Sequence, residues 1–120
     1  MLELIDSKYE LLLQACLSRI KGEMERLYWN ENQAIMNSPF LNTGEKYENS
    51  TFSVRAYYWG DNETEISLPN FQYKDLEIRW YKHYFRGLDA RCGHELTAEF
   101  LADMINDCFK SMRRDFGEDK

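Results

Sequence analysis

The chain is short of the residues from which sites are usually built: its 120 positions hold two histidines, two prolines and three cysteines. An odd number of cysteines without Cys-x-x-Cys spacing excludes a simple disulfide framework and implies reduced thiols. No glycine-rich loop leads into Gly-Lys-Ser/Thr, and no Gly-x-Gly-x-x-Gly occurs, so neither phosphate-binding fingerprint is present. Apolar runs stay far below the roughly 20 residues that a membrane-spanning helix needs. Glu3, Asp6 and Glu10 stand where a secretory signal would be basic. Leu13-Gln14-Ala15-Cys16 has the outline of a lipoprotein cleavage box, but without the basic start or the apolar stretch that such a signal requires. The expectation is a cytoplasmic protein without a membrane segment.

What is present suits one folded domain over residues 1–120. Hydrophobic content of 43%, with 15% aromatics, lies well above the composition of disordered chains. A domain of this length buries roughly two-thirds of its unfolded surface, enough for a core. The net charge of −6 is spread as −3 over residues 1–50, −1 over 51–96 and −2 over 97–120, so no segment is basic. Such a surface repels phosphate backbones and anionic lipid and favours a basic protein partner.

Periodicity predicts an α+β fold. Ser7-Lys8-Tyr9-Glu10 reads as a capping box opening a helix from residue 8 to about 34. Its apolar stripe is Tyr9, Leu12, Leu13, Cys16, Leu17, Ile20, Met24 and Leu27, with Lys21 and Glu23 between these positions. Gly22 is either tolerated there or admits a close neighbour. Turn-forming residues make 37–50 a loop. Thr51 to Trp59 alternates as a strand, and Gly60-Asp61-Asn62 turns into a second strand from Thr64 to Leu68, ended by Pro69-Asn70. The alternation slips near Lys74-Asp75, where a turn or bulge is expected, and a third strand follows from Leu76 to about Phe85. Residues 87–96 read as loop. Thr97 caps a final helix with the stripe Leu101, Met104, Ile105, Cys108 and Met112, and a short acidic tail at 116–120 is expected to be mobile. The predicted architecture is a long N-terminal helix, a three-stranded antiparallel β-meander and a C-terminal helix. Both helices pack on the face carrying Phe52, Val54, Leu76, Ile78 and Trp80.

The other face of that meander gathers Arg55, Tyr57, Trp59, Arg79, Tyr81 and His83. Tyr, Trp and Arg are the types enriched at protein interface hot spots, which makes these six residues the candidate partner-binding set. Aromatics beside arginines could also stack single-stranded RNA, but the acidic total charge and the absence of the ribonucleoprotein signature stand against it. Cys92-Gly93-His94, with Glu95 adjacent, could supply metal ligands or a thiol–imidazole pair. Zinc sites need further ligands, however, and no spacing provides them. Neither a metal nor another cofactor is expected. Asp61, Glu65, Asp75 and Glu77 could form carboxylate pairs, but none stands out among 21 acidic residues.

The functional expectation is a small acidic, non-enzymatic protein-binding module. Its profile is that of an inhibitor or regulator docking on a basic protein such as a nucleic-acid enzyme, in the manner of phage-encoded counter-defence or immunity proteins. The alternatives are a small enzyme centred on His83, His94 and Cys92, and an RNA binder using the aromatic-basic face. A long helix with one wide stripe also leaves a homodimer open.

Overall fold

The computed structural model describes residues 2–29, 46–58, 66–81 and 87–118. Its elements are β1 (Glu3–Leu4), α1 (Glu10–Trp29), β2 (Lys46–Glu48), β3 (Phe52–Tyr58), β4 (Ile66–Tyr73), β5 (Leu76–Tyr81), β6 (Gly87–Cys92) and α2 (Ala98–Asp115). The six strands form one antiparallel sheet in the order β1-β6-β5-β4-β3-β2. The fold is α+β as expected, but a three-stranded meander understates the sheet. β2 lies inside the stretch read as loop at 37–50, and β6 inside the stretch read as loop at 87–96. β1 and β2 are too short for alternation to register. In β6, Leu88, Ala90 and Cys92 do alternate inward, but the glycines at either end disguise them.

Both helices cover one face of the sheet. Leu13, Cys16, Leu17, Ile20, Met24 and Leu27 of α1 are buried, as are Leu101, Met104, Ile105, Cys108 and Met112 of α2. From the sheet they meet Phe52, Val54, Phe71, Tyr73, Leu76, Ile78, Trp80, Ala90 and Cys92. Two features of the expected α1 stripe differ. Leu12 is 47% exposed, whereas Lys21 and Glu23 are buried. Glu23 tolerates burial because Arg26 and Arg113, the latter at 2.6 Å, bring two guanidinium groups to its carboxylate. Lys21 is paired with Glu25 at 3.2 Å.

The expected capping box does not form. Asp6 caps a 3-10 turn over Ser7–Tyr9 by accepting from the Lys8 N–H at 3.1 Å. The Glu10 carboxylate turns instead to the sheet, where it accepts the Leu88 N–H at 3.1 Å. At α2, Thr97 does cap as predicted, accepting from the Phe100 N–H at 3.0 Å. Residues 116–118 close the end of α2, and the rest of the expected tail lies outside the described residues. Gly117, at φ 83°, permits the Glu118 N–H to reach the Arg113 carbonyl at 2.8 Å and its own N–H to reach Arg114 at 3.2 Å. This is the Schellman arrangement that closes a helix, and it buries Phe116.

The second strand runs through Pro69-Asn70 instead of ending there. Register passes from Arg55↔Asn70 to Tyr57↔Ser67, so two residues of β4, Leu68 and Pro69, oppose one of β3. That bulge moves the inward positions of β4 from Leu68 to Phe71 and Tyr73. The turn Lys74–Asp75 then joins Tyr73 and Leu76 as direct partners on the covered face, which accounts for the slip seen in the sequence.

Candidate functional site

The face of the sheet turned away from the helices is open among the described residues. Cross-strand pairing aligns its side chains in rungs. One rung runs Lys46, Arg55, Asn70, Arg79, Asp89, and the next runs Glu48, Ser53, Gln72, Glu77, Arg91, Leu4. Apart from Glu48 and Leu4, they floor a shallow concavity of about 600 Å³. The two rungs carry four cations, Lys46, Arg55, Arg79 and Arg91, and three carboxylates, Glu48, Glu77 and Asp89, so this face is locally balanced to slightly basic while the chain carries −6.

The structure brings three of the six candidate residues to this face as described side chains. Arg55 and Arg79 are exposed and flank Asn70 in a single rung, two strand spacings or about 10 Å apart. Tyr81, half-buried, sits at the end of β5 opposite Gly87. Tyr57 lies in β3 beyond the bulge, opposite Ser67, and its side chain lies outside the described residues. Trp59 and His83 also lie outside them. Sequence reading missed Lys46, Asn70, Gln72, Asp89 and Arg91, which share the concavity. The outward alternation of Asp89 and Arg91 in β6 was the available signal, and it becomes legible only once β6 is seen as a strand.

A second constellation forms where β6 ends against the β4–β5 turn. Extending the pairing Glu77↔Arg91 outward by two residues sets Asp75 against Gly93. A Cβ at position 93 would lie 2.8 Å from the Asp75 Oδ2 atom, so glycine is what lets the carboxylate come close. His94 Nε2 lies 3.0 Å from Asp75 Oδ1, and Cys92 Sγ lies 3.7 Å from the same oxygen. Phe100 holds the His94 ring edge-on, with centroids 4.5 Å apart. The carboxylate is thus the hub, whereas nucleophilic catalysis by cysteine needs the imidazole between thiol and carboxylate. Burial also pushes the Cys92 thiol above its ordinary range, the opposite of what an activated nucleophile needs.

No protein-family model, curated protein or solved structure matches the chain. Chemistry must therefore be read from the residues themselves. Cys16 and Cys108 are buried on the helix stripes, where burial raises both thiols and leaves them inert packing groups. Among the described residues, no helix is long and apolar enough to cross a membrane.

Proposed function

We propose that the chain is a non-enzymatic protein-binding module whose contact surface is the open sheet face centred on Arg55 and Arg79. The observation that carries this reading is the exposed rung Lys46–Arg55–Asn70–Arg79–Asp89 on a sheet whose other face, among the described residues, is buried beneath the helices. Side chains arrayed on a rigid sheet are pre-organised, which lowers the entropic cost of binding. The mixed signs favour a partner surface of complementary pattern, and the overall −6 charge attracts a basic protein to the chain as a whole. Glu48, Glu77 and Asp89 would meet that partner's cations, and Arg55, Arg79 and Arg91 its carboxylates. An inhibitor or regulator of a basic protein, such as a nucleic-acid enzyme, fits this surface. Tyr81 is the sole aromatic among the described side chains of this face, which gives little stacking area for unpaired bases.

The test is affinity capture with the immobilised chain and with its Arg79→Ala variant, with circular dichroism confirming the fold. Loss of a specifically retained protein from the variant supports the reading. An identical retained set for the two chains removes this face from consideration.

A further inference from the structure

The cluster at the end of β6 brings three metal-ligating atoms, from Asp75, Cys92 and His94, within 4.8 Å of one another. The Glu95 carbonyl lies 2.8 Å from His94 Nδ1, and because a carbonyl can only accept, Nδ1 carries the proton. A neutral His94 therefore presents the Nε2 lone pair to Asp75 Oδ1 at 3.0 Å, lone pair against carboxylate. Either a second proton or a cation must occupy that position. A backbone carbonyl fixing one ring nitrogen, so that the other is presented outward, is how metal-binding histidines are oriented.

The distances accommodate a cation. Tetrahedral zinc holds nitrogen and oxygen at about 2.0–2.2 Å and sulfur at about 2.3 Å, which sets N···O edges near 3.3 Å and S···O edges near 3.5 Å. The observed separations from Asp75 Oδ1 are 3.0 Å to His94 Nε2 and 3.7 Å to Cys92 Sγ, and all three donor atoms lie within 4.8 Å of one another. Small side-chain shifts would seat an ion. The donors also come from two rigid pieces, a strand end and a two-residue hairpin turn, held in mutual register by the β5–β6 pairing.

We propose that Asp75, Cys92 and His94 form a zinc-class divalent metal site. The soft thiolate combined with imidazole and carboxylate selects a borderline ion over calcium or magnesium, which take oxygen ligands. Binding displaces the Cys92 thiol proton to solvent, so the S–H bond breaks as the metal–sulfur bond forms. A groove of about 370 Å³ that Cys92 and His94 share with Glu3, Lys8 and Tyr9 adjoins the cluster. Water or an exogenous donor can complete the tetrahedron. The ion would pin the β4–β5 turn to the end of β6.

Titration of the full chain with Co²⁺, read by absorption, tests the proposal. The expected result is about one equivalent bound, with a thiolate-to-cobalt charge-transfer band that Zn²⁺ removes by displacement. Cys92→Ser should abolish the band although Cys16 and Cys108 remain, and Asp75→Asn and His94→Ala should each weaken binding about tenfold or more. The absence of a charge-transfer band in the wild-type chain would overturn the site, as would a band that survives Cys92→Ser. Should Cys92→Ser fail to fold, the other two variants decide, because the Asp75 and His94 side chains are 39% and 40% exposed and their loss leaves the core intact. Wild-type affinity in both would reduce the cluster to an Asp–His ion pair beside a thiol.

Discussion

The two faces of the sheet are drawn from the same strands and alternate residue by residue, yet they obey different rules. On the covered face nearly every position is apolar and below 9% exposed, and the polar groups that intrude are individually paired. Tyr73, 1% exposed, donates its hydroxyl to Asp107 of α2 at 2.6 Å. Tyr47, at the β2 edge, reaches Asp115. On the open face charged residues of both signs stand exposed in rungs, and Leu4 is left 62% exposed at the β1 edge. A change on the covered face should therefore be felt as stability, and one on the open face as recognition.

The sharpest way to break the covered side is to empty its centre. Ile78, 1% exposed, packs between strands and helices, and Ile78→Ala should cost about 3 kcal/mol in urea unfolding. Next comes Glu23→Gln, which leaves Arg26 and Arg113 facing a neutral amide in a site where the Glu23 side chain is 4% exposed. About 2 kcal/mol is expected, less than for a fully buried pair because both arginines reach solvent. Tyr73→Phe removes one buried hydrogen bond and should cost about 1 kcal/mol.

The tyrosines also set an alkaline limit. Burial, and then the hydrogen bonds the phenols donate to the Asp115 and Asp107 carboxylates, raise Tyr47 and Tyr73 above the ordinary value. The folded state keeps protons that the unfolded chain releases, so this stability is intact below about pH 10 and declines as pH rises further. Tyr73→Phe should make that decline shallower in a series of thermal melts. The smallest stability effect belongs to the open face, where Arg79→Ala should stay within about 0.5 kcal/mol of wild type. A larger loss would mean that the face is structural after all.

Much of the covered face was legible in the sequence because burial there enforces period. The α2 stripe and its Thr97 cap, most of the α1 stripe, and the inward set Phe52, Val54, Leu76, Ile78 and Trp80 all follow from spacing. The open face was only half legible. Arg55 and Arg79 were visible as outward residues, but that they share a rung depends on register, and the register depends on a bulge at Leu68-Pro69 that composition does not announce. β1 and β2 are two and three residues long and owe their existence to pairing with β6 and β3, a tertiary effect without a local signal. Ser7 and Glu10 carried the letters of a capping box, but Asp6 competed for the cap and Leu88 for the carboxylate. Cys92 and His94 were noticed as neighbours in sequence. Their third partner, Asp75, was hidden because it joins them only through the β5–β6 register.

The most direct measurement makes the Arg55→Ala/Arg79→Ala double variant and reads two quantities on one preparation: the thermal midpoint and the proteins retained by the immobilised chain. The division between faces predicts a midpoint within a few degrees of wild type, since 1 kcal/mol corresponds to roughly 3–6 °C for a domain of this size, together with loss of the retained partner. A midpoint that falls as far as that of Ile78→Ala, or a partner retained undiminished, would contradict it.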